Sequence, residues 1–171
     1  MIQRDAYLKK LLDFKDKDLI KIVTGIRRCG KSTLFDIYIN YLKEQGVQEE
    51  QIIQINLESQ DYNFENHIEL YNYIKERIDN SKKNYVFIDE VQRIENFQKA
   101  IDSLYINKNI DLYITGSNAY LLSGELATLI SGRYVEIKML PLSFKEYMSA
   151  FEQNIDKQEK LLDYLKYGSL P

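Results

Sequence analysis

Residues 25 to 32 read Gly25-Ile26-Arg27-Arg28-Cys29-Gly30-Lys31-Ser32, a complete G-x-x-x-x-G-K-S stretch. The spacing suits a chain of phosphates. A loop of this length wraps a β-phosphate with backbone N–H groups, and Gly25 and Gly30 permit turns and close approach that a Cβ would obstruct. Ile26, Arg27, Arg28, Cys29 and Thr33 fall within the same set of nucleotide-contacting positions. Lys31 has the reach for the β- and γ-phosphates, and the Ser32 hydroxyl can complete the shell of a Mg²⁺ ion bound to them. A helix beginning near Ser32 would aim unsatisfied N–H groups and its positive dipole end at the same phosphates.

The surrounding pattern supplies the context that this loop needs. Ile20 to Thr24 is an apolar run of strand length leading straight into Gly25, and Leu34, Ile37, Tyr38, Tyr41 and Leu42 repeat at helical spacing after it. Gly46 is a natural stop for that helix. Further strands are expected at Ile52 to Leu57, Tyr85 to Ile88, Leu112 to Thr115 and Tyr134 to Ile137. Helical stripes lie between them: Leu70, Tyr71, Ile74 and Ile78, then Phe97, Ala100, Ile101 and Leu104. Tyr7, Leu8, Leu11 and Leu12 form a helical face before the first strand, and Phe144, Tyr147 and Met148 suggest another helix after Pro141. Strands alternating with helices predict right-handed βαβ units, hence an α/β fold with a parallel sheet covered on both faces.

A second motif sits where such a sheet would present it. Tyr85-Val86-Phe87-Ile88-Asp89-Glu90 is an apolar strand ending in two carboxylates, and ligands of open parallel sheets bind beyond the carboxyl ends of the strands. Asp89 can orient Mg²⁺ alongside Ser32, while Glu90 can polarise a water for in-line attack on a γ-phosphate. Without the phosphate loop, the two acids would read as solvated turn residues. A third stretch, Tyr113-Ile114-Thr115-Gly116-Ser117-Asn118, ends the fourth strand. Ser117 or Asn118 there can sense the γ-phosphate, or cap a following helix, since both residue types favour N-caps. Glu58 can assist water or metal, or stand as a solvated loop acid. Arg27 and Arg28 can touch nucleotide or a partner, or face solvent.

Bulk properties exclude several classes. The 171 residues are enough for one core, with 44% hydrophobic and 29% charged residues. A net charge of −3 gives no global basic field for nucleic acid, and a local patch stays open. One cysteine rules out an internal disulfide, and with no signal peptide and no membrane-length apolar run the expected compartment is the cytoplasm. His67 is the sole histidine, which excludes a histidine-based metal cluster. The 14 tyrosines are scattered and read as packing rather than as a base-stacking platform.

T-G-I-R-R-C-G-K-S-T at 24 to 33, F-I-D-E-V-Q at 87 to 92, I-T-G-S-N-A at 114 to 119 and the stretch from Leu121 to Tyr147 together resemble one group. This is the prokaryotic AAA-type ATPases with a G-x-R-R-x-G-K-[ST] loop. The resemblance implies a three-layer P-loop core over residues 1–150 with sheet order 5-1-4-3-2. It implies ATP and Mg²⁺ as cofactors, Lys31, Glu90 and Ser117 or Asn118 as catalytic groups, and Ser32 with Asp89 at the metal. Arg133, just before the fifth strand, would then face the nucleotide of a neighbouring copy, or else serve as a structural arginine capping carbonyls. Members usually carry a second C-terminal domain. Residues 151–171, helical over Leu161 to Tyr167 and stopping at Pro171, would lead to such a region in a longer natural chain. The expected activity is Mg²⁺-dependent ATP hydrolysis coupled to an effector; the rivals are a nucleotide-gated switch with negligible turnover and a DNA-dependent ATPase.

Overall fold

The computed structural model describes residues 2, 4–116, 130–151 and 156–168. Five strands, β1 (Ile20–Gly25), β2 (Ile52–Asn56), β3 (Asn84–Asp89), β4 (Ile110–Gly116) and β5 (Tyr134–Met139), form one sheet in the order β2-β3-β4-β1-β5. Every pairing is parallel. This is the α/β arrangement of P-loop proteins, and the order is the one expected, with β4 inserted between the loop strand β1 and the acid strand β3. Around the sheet lie helices α1 (Asp5–Asp13), α2 (Lys31–Glu44), α3 (His67–Lys75), α4 (Phe97–Tyr105), α5 (Phe144–Met148) and α6 (Lys157–Tyr167), with short 3₁₀ turns at Glu49–Gln51 and Val91–Arg93. Gly46 takes a left-handed φ of 88° just past α2, the helix stop that its glycine permits. Ile78, expected on the third helix, lies beyond its end at Lys75 yet still enters the core. No helix among the described residues is long and apolar enough to cross a membrane.

Strand alternation divides the core into two chemically different halves. Ile22, Val86, Ile88, Leu112 and Ile114 face α3 and α4 in an aliphatic cluster with Leu70, Ile74, Ile101 and Leu104. Their neighbours along each strand, Val23, Tyr85, Phe87 and Tyr113, face α1 and α2 and meet Leu11, Leu34, Phe35 and Tyr38. That second half is strongly aromatic. Phe87 and Tyr113 stack at 4.7 Å between centroids, while Phe35 meets Phe87 edge-on at 5.2 Å. The scattered tyrosines are thus partly core residues, with Tyr38 and Tyr113 fully buried.

At the amino-terminal edge of the sheet the same face buries a charge pair. Lys21 of β1 bonds Asp111 of β4, and both side chains are essentially inaccessible. Lys21 Nζ also donates to the Lys17 carbonyl at 2.8 Å, while Asp111 accepts from the Tyr113 hydroxyl at 2.7 Å and the Asp16 N–H at 2.8 Å. Burial pulls the Lys21 ammonium below its usual range, opposed by the Asp111 charge. Because each ion is tolerable only with its partner, Asp111→Ala should lower stability by about 3–5 kcal/mol in urea unfolding. The double change Lys21→Met with Asp111→Leu should recover much of that loss; a single variant as stable as wild type would contradict the account.

Candidate nucleotide site

The phosphate loop is shaped by contacts that its residues cannot avoid. Gly25 pairs with Met139 across the β1–β5 ladder, and a Cβ built on it would lie 2.5 Å from the Met139 carbonyl oxygen and 2.7 Å from Cys29 Sγ. The loop therefore lies against the end of β5 with no room for a side chain. Arg28 (φ 66°) and Gly30 (φ 93°) adopt left-handed backbone and turn the chain into α2. Gly30 is the N-cap of α2, no side chain caps the helix, and its first turn holds no acidic residue. The first N–H groups are left for an anion.

Lys31 opens α2 with its side chain 4% exposed. Its Nζ donates to the carbonyls of Gly25 (3.4 Å) and Ile26 (3.3 Å) and lies 3.2 Å from Glu90 Oε1. Next to it, the Ser32 hydroxyl donates to Asp89 Oδ2 at 2.5 Å. Thr115, from the end of β4, donates its hydroxyl to the other oxygen, Oδ1. The Thr115 oxygen in turn accepts the Glu90 N–H at 2.9 Å. Glu90 holds φ 58° and ψ 49°, a left-handed conformation that few residues other than glycine adopt, and it sends the chain away from the strand axis. Its second carboxylate oxygen accepts from Gln92 Nε2. The Lys31, Ser32, Asp89 and Glu90 side chains thus converge at the carboxyl ends of β1 and β3.

A cavity of about 500 Å³ opens over this cluster, lined by Arg27, Arg28, Gly30, Lys31, Ser32, Thr33, Glu58 and Glu90. Glu58 Oε1 stands at its wall as the shared partner of Arg27 (3.3 Å) and Arg93 (3.0 Å), so it is an ion-pair anchor rather than a lone loop acid. Ile26 is exposed beside the cavity, and Cys29 is wholly buried. Burial pushes the Cys29 thiol up despite the Lys31 and Arg4 charges nearby, which keeps it protonated and inert. Burial likewise pushes the Asp89 carboxyl up, against hydrogen bonds from Ser32 and Thr115. No group of three His, Cys, Asp or Glu residues suited to a metal occurs among the described residues.

Arg133 lies elsewhere. Its carbonyl accepts the Ile20 N–H at the start of β1, and its guanidinium pairs with Asp102 of α4 at 3.1 Å. That is the amino-terminal edge of the sheet, opposite the phosphate loop, so Arg133 does not join this chain's own cluster. Ser117 and Asn118 lie outside the described residues.

Three partners escaped the reading of motifs. Thr115 lies in the Tyr113 to Asn118 stretch, where a threonine reads as an ordinary strand former. Gln92 closes the D-E-V-Q run. Arg4, 3% exposed, is far from any motif. It donates to the Cys29 carbonyl (3.2 Å) and the Leu140 carbonyl (2.7 Å), pairs with Glu146 at 2.8 Å and lies over the Tyr7 ring. The Ser143-x-x-Glu146 capping box of α5 was visible in sequence as a pattern, and burial of Glu146 is outweighed by Ser143 and Arg4, which hold its carboxyl below the usual range. The fork that Arg4 throws across loop, β5 and α5 had no local signal.

Two stability tests follow from this geometry. Arg4→Ala should cost about 3 kcal/mol in urea unfolding, in line with charged hydrogen bonds. Arg4→Lys should restore only part of it, because an ammonium cannot fork to two carbonyls. For Asp89, a carboxyl raised above its ordinary 3.8 contributes stability below that value and loses it as pH rises through the folded-state pKa. At neutral pH the ionised group is therefore a liability. Asp89→Asn should melt at or above the wild-type temperature at pH 7, with the gap narrowing as the solution is acidified; a lower melting point at pH 7 would contradict this.

Comparison with known proteins agrees with the geometry. The family model of the AAA domain matches residues 17–148. A Haemophilus influenzae protein described as uncharacterized is 48% identical over 178 positions, covering 100% of this chain and 44% of its own length. An uncharacterized Methanocaldococcus jannaschii protein is 30% identical over 186 positions, covering 100% of this chain and 38% of its own. The chain thus spans less than half the length of these curated relatives. Among solved structures, a DNA polymerase III gamma subunit-related protein of Thermotoga maritima superposes with a TM-score of 0.62 at 14% identity, covering 95% of this chain and 54% of that one. Drosophila ORC bound to AT-rich DNA and Cdc6 gives 0.54 at 15% identity, with 92% and 61% covered. At such identities the likeness is one of fold. The family match over most of the chain, on a sheet of this order with this loop, means that the chain belongs to the AAA-domain family and is an AAA-type P-loop ATPase domain.

Proposed function

We propose that this domain binds ATP with Mg²⁺ and hydrolyses its β–γ phosphoanhydride. The observation that carries the reading is the junction at Asp89. One carboxylate takes hydroxyls from Ser32 and Thr115, and the adjoining Glu90 is turned by left-handed backbone to within an ion pair of Lys31. In this reading the loop backbone from Gly25 to Gly30, with the N–H groups of Lys31, Ser32 and Thr33, grips the phosphates. Lys31 exchanges its pairing with Glu90 for the β- and γ-phosphates.

Ser32 and Asp89 offer hard oxygens side by side, which fits a Mg²⁺ ion that takes one carboxylate and keeps phosphates and waters as its other ligands. Held by Ser32 and Asp89, the ion would supply Lewis-acid charge to the phosphates. Glu90 receives the proton of the attacking water. Ser117 or Asn118, next in sequence after β4, senses the γ-phosphate. Arg133, remote from its own loop, is read as reaching the site of a neighbouring copy. Residues 1–150 form the ATPase core, and 151–171 lead toward the effector region that the longer relatives have room for. A cytoplasmic location and an unidentified effector, protein or DNA, complete the reading.

Phosphate release by the wild type, Glu90→Gln, Lys31→Ala and Arg133→Ala, alongside binding of a fluorescent ATP analogue, tests it. Glu90→Gln should lose about 10²–10⁴-fold in rate, the usual scale of a general base, and keep nucleotide. Lys31→Ala should lose binding. Arg133→Ala should bind normally and lose turnover. Equal, near-background release from wild type and Glu90→Gln would defeat hydrolysis and leave a binding switch. Stimulation by DNA that fades with salt would identify the DNA-dependent form.

A further inference from the structure

Among the described residues two side chains hold the Glu90 carboxylate: Lys31 by an ion pair at Oε1, 3.2 Å away, and Gln92 by a hydrogen bond from its amide nitrogen to Oε2. They are not equivalent. Under the ATPase reading above, on which this inference rests, Lys31 is drawn to the phosphates when nucleotide binds. Gln92 is the donor that stays. We propose that Gln92 is the positioning residue of the hydrolytic step, holding the Glu90 carboxylate in line once Lys31 has left it.

The backbone leaves Gln92 little choice of place. Glu90 turns the chain with its left-handed φ, and Val91 to Arg93 then make a single 3₁₀ turn closed by the Arg93 N–H on the Glu90 carbonyl at 3.1 Å. Val91 before it is fully buried, Ile94 after it is nearly so, and Arg93 is tied to Glu58. Gln92 is therefore pinned from both sides with its amide against Glu90. A carboxylate only accepts hydrogen bonds, so the amide nitrogen must be the atom that faces it. The opposite end of the amide, Oε1, is buried and takes no donor among the described residues. Folded chains seldom leave a buried acceptor so. A glutamine placed there for stability would use both ends; among the described residues, the polar contact of this side chain is the one to Glu90.

The chemistry needs that contact. As the water oxygen bonds to the γ-phosphorus, the bond from phosphorus to the β–γ bridging oxygen breaks and ADP leaves with that oxygen. The water's proton passes to a Glu90 oxygen. The carboxylate must lie within hydrogen-bond reach of that proton, and a glutamate without a fixed donor is free to rotate about its side-chain torsions.

Single-turnover ATP hydrolysis by the 171-residue chain decides the matter, with wild type, Gln92→Leu, Gln92→Glu, Glu90→Gln and the double variant Glu90→Gln with Gln92→Leu. Gln92→Leu should slow turnover by roughly tenfold, a part of what a general base supplies. Its affinity for a fluorescent ATP analogue should not change, and its melting temperature should not fall, since an unpaired acceptor has been removed. Gln92→Glu keeps the shape, loses the donor and opposes like charges, so its rate should fall further; it also serves if the leucine variant folds poorly. In the Glu90→Gln background, Gln92→Leu should add nothing, because its effect runs through the carboxylate. Wild-type rates in both single variants, or an equal further loss in the Glu90→Gln background, would overturn the inference alone. Weakened binding in step with lost stability would overturn it in favour of a structural role. A wild type that releases no phosphate would overturn the ATPase reading, and this inference with it.

Discussion

Asp89 is a carboxylate that burial disfavours, and it is tolerable because hydroxyls from two other elements donate to it. Ser32 comes from the first turn of α2 and Thr115 from the end of β4. Since β4 lies between β1 and β3, the three carboxyl ends that must meet are those of successive strands in the sheet. The strand order thereby acquires a chemical reason. With β4 beside β3, Thr115 stands next to Asp89 and gives its second oxygen a donor. Glu90 inherits its place from the same junction, because its N–H is fixed to the Thr115 oxygen.

This junction is built at some expense to the fold. Glu90 and Arg28 hold left-handed backbone, Gly25 is wedged against Met139, and Gln92 leaves one amide oxygen without a partner among the described residues. Among the described residues, two of the four left-handed non-glycine positions and the unpaired Gln92 oxygen fall within this cleft, where structure serves chemistry. The remainder of the domain compensates with a sheet buried on both faces, aliphatic toward α3 and α4 and aromatic toward α1 and α2.

The fold was legible because it rests on local periodicity. Each strand carries its apolar run in consecutive residues, each helix its stripe, and the glycine loop falls between the first of each. Lys31, Ser32, Asp89 and Glu90 were legible for the same reason: loop length and strand end place them without knowledge of tertiary contacts. Thr115, Gln92 and Arg4 act through partners that only folding brings near. Arg4 reaches a carbonyl 136 residues away, and a carbonyl gives no sequence signal because every residue has one. Thr115 was hidden by its own strand, where a threonine reads as an ordinary β-former. Ile78 shows the reverse case: the apolar stripe correctly marked a core residue, while the helix ended three residues earlier because burial, and not helical geometry, was what the stripe encoded.

The position of Arg133 bears on symmetry. It sits at the amino-terminal edge of the sheet and the phosphate loop at the carboxyl edge, separated by a six-residue strand, roughly 20 Å. An arginine and a phosphate cradle on opposite poles of one body cannot both lie in one small self-complementary patch. A contact that seats the arginine of one copy over the cradle of the next joins unlike poles, and each such contact leaves one pole of either kind unsatisfied at the ends. Such a chain of copies stops only by closing into a ring. The polarity of a single parallel sheet, set by the order of its strands, would then be written at the scale of the whole assembly as a direction of travel around it.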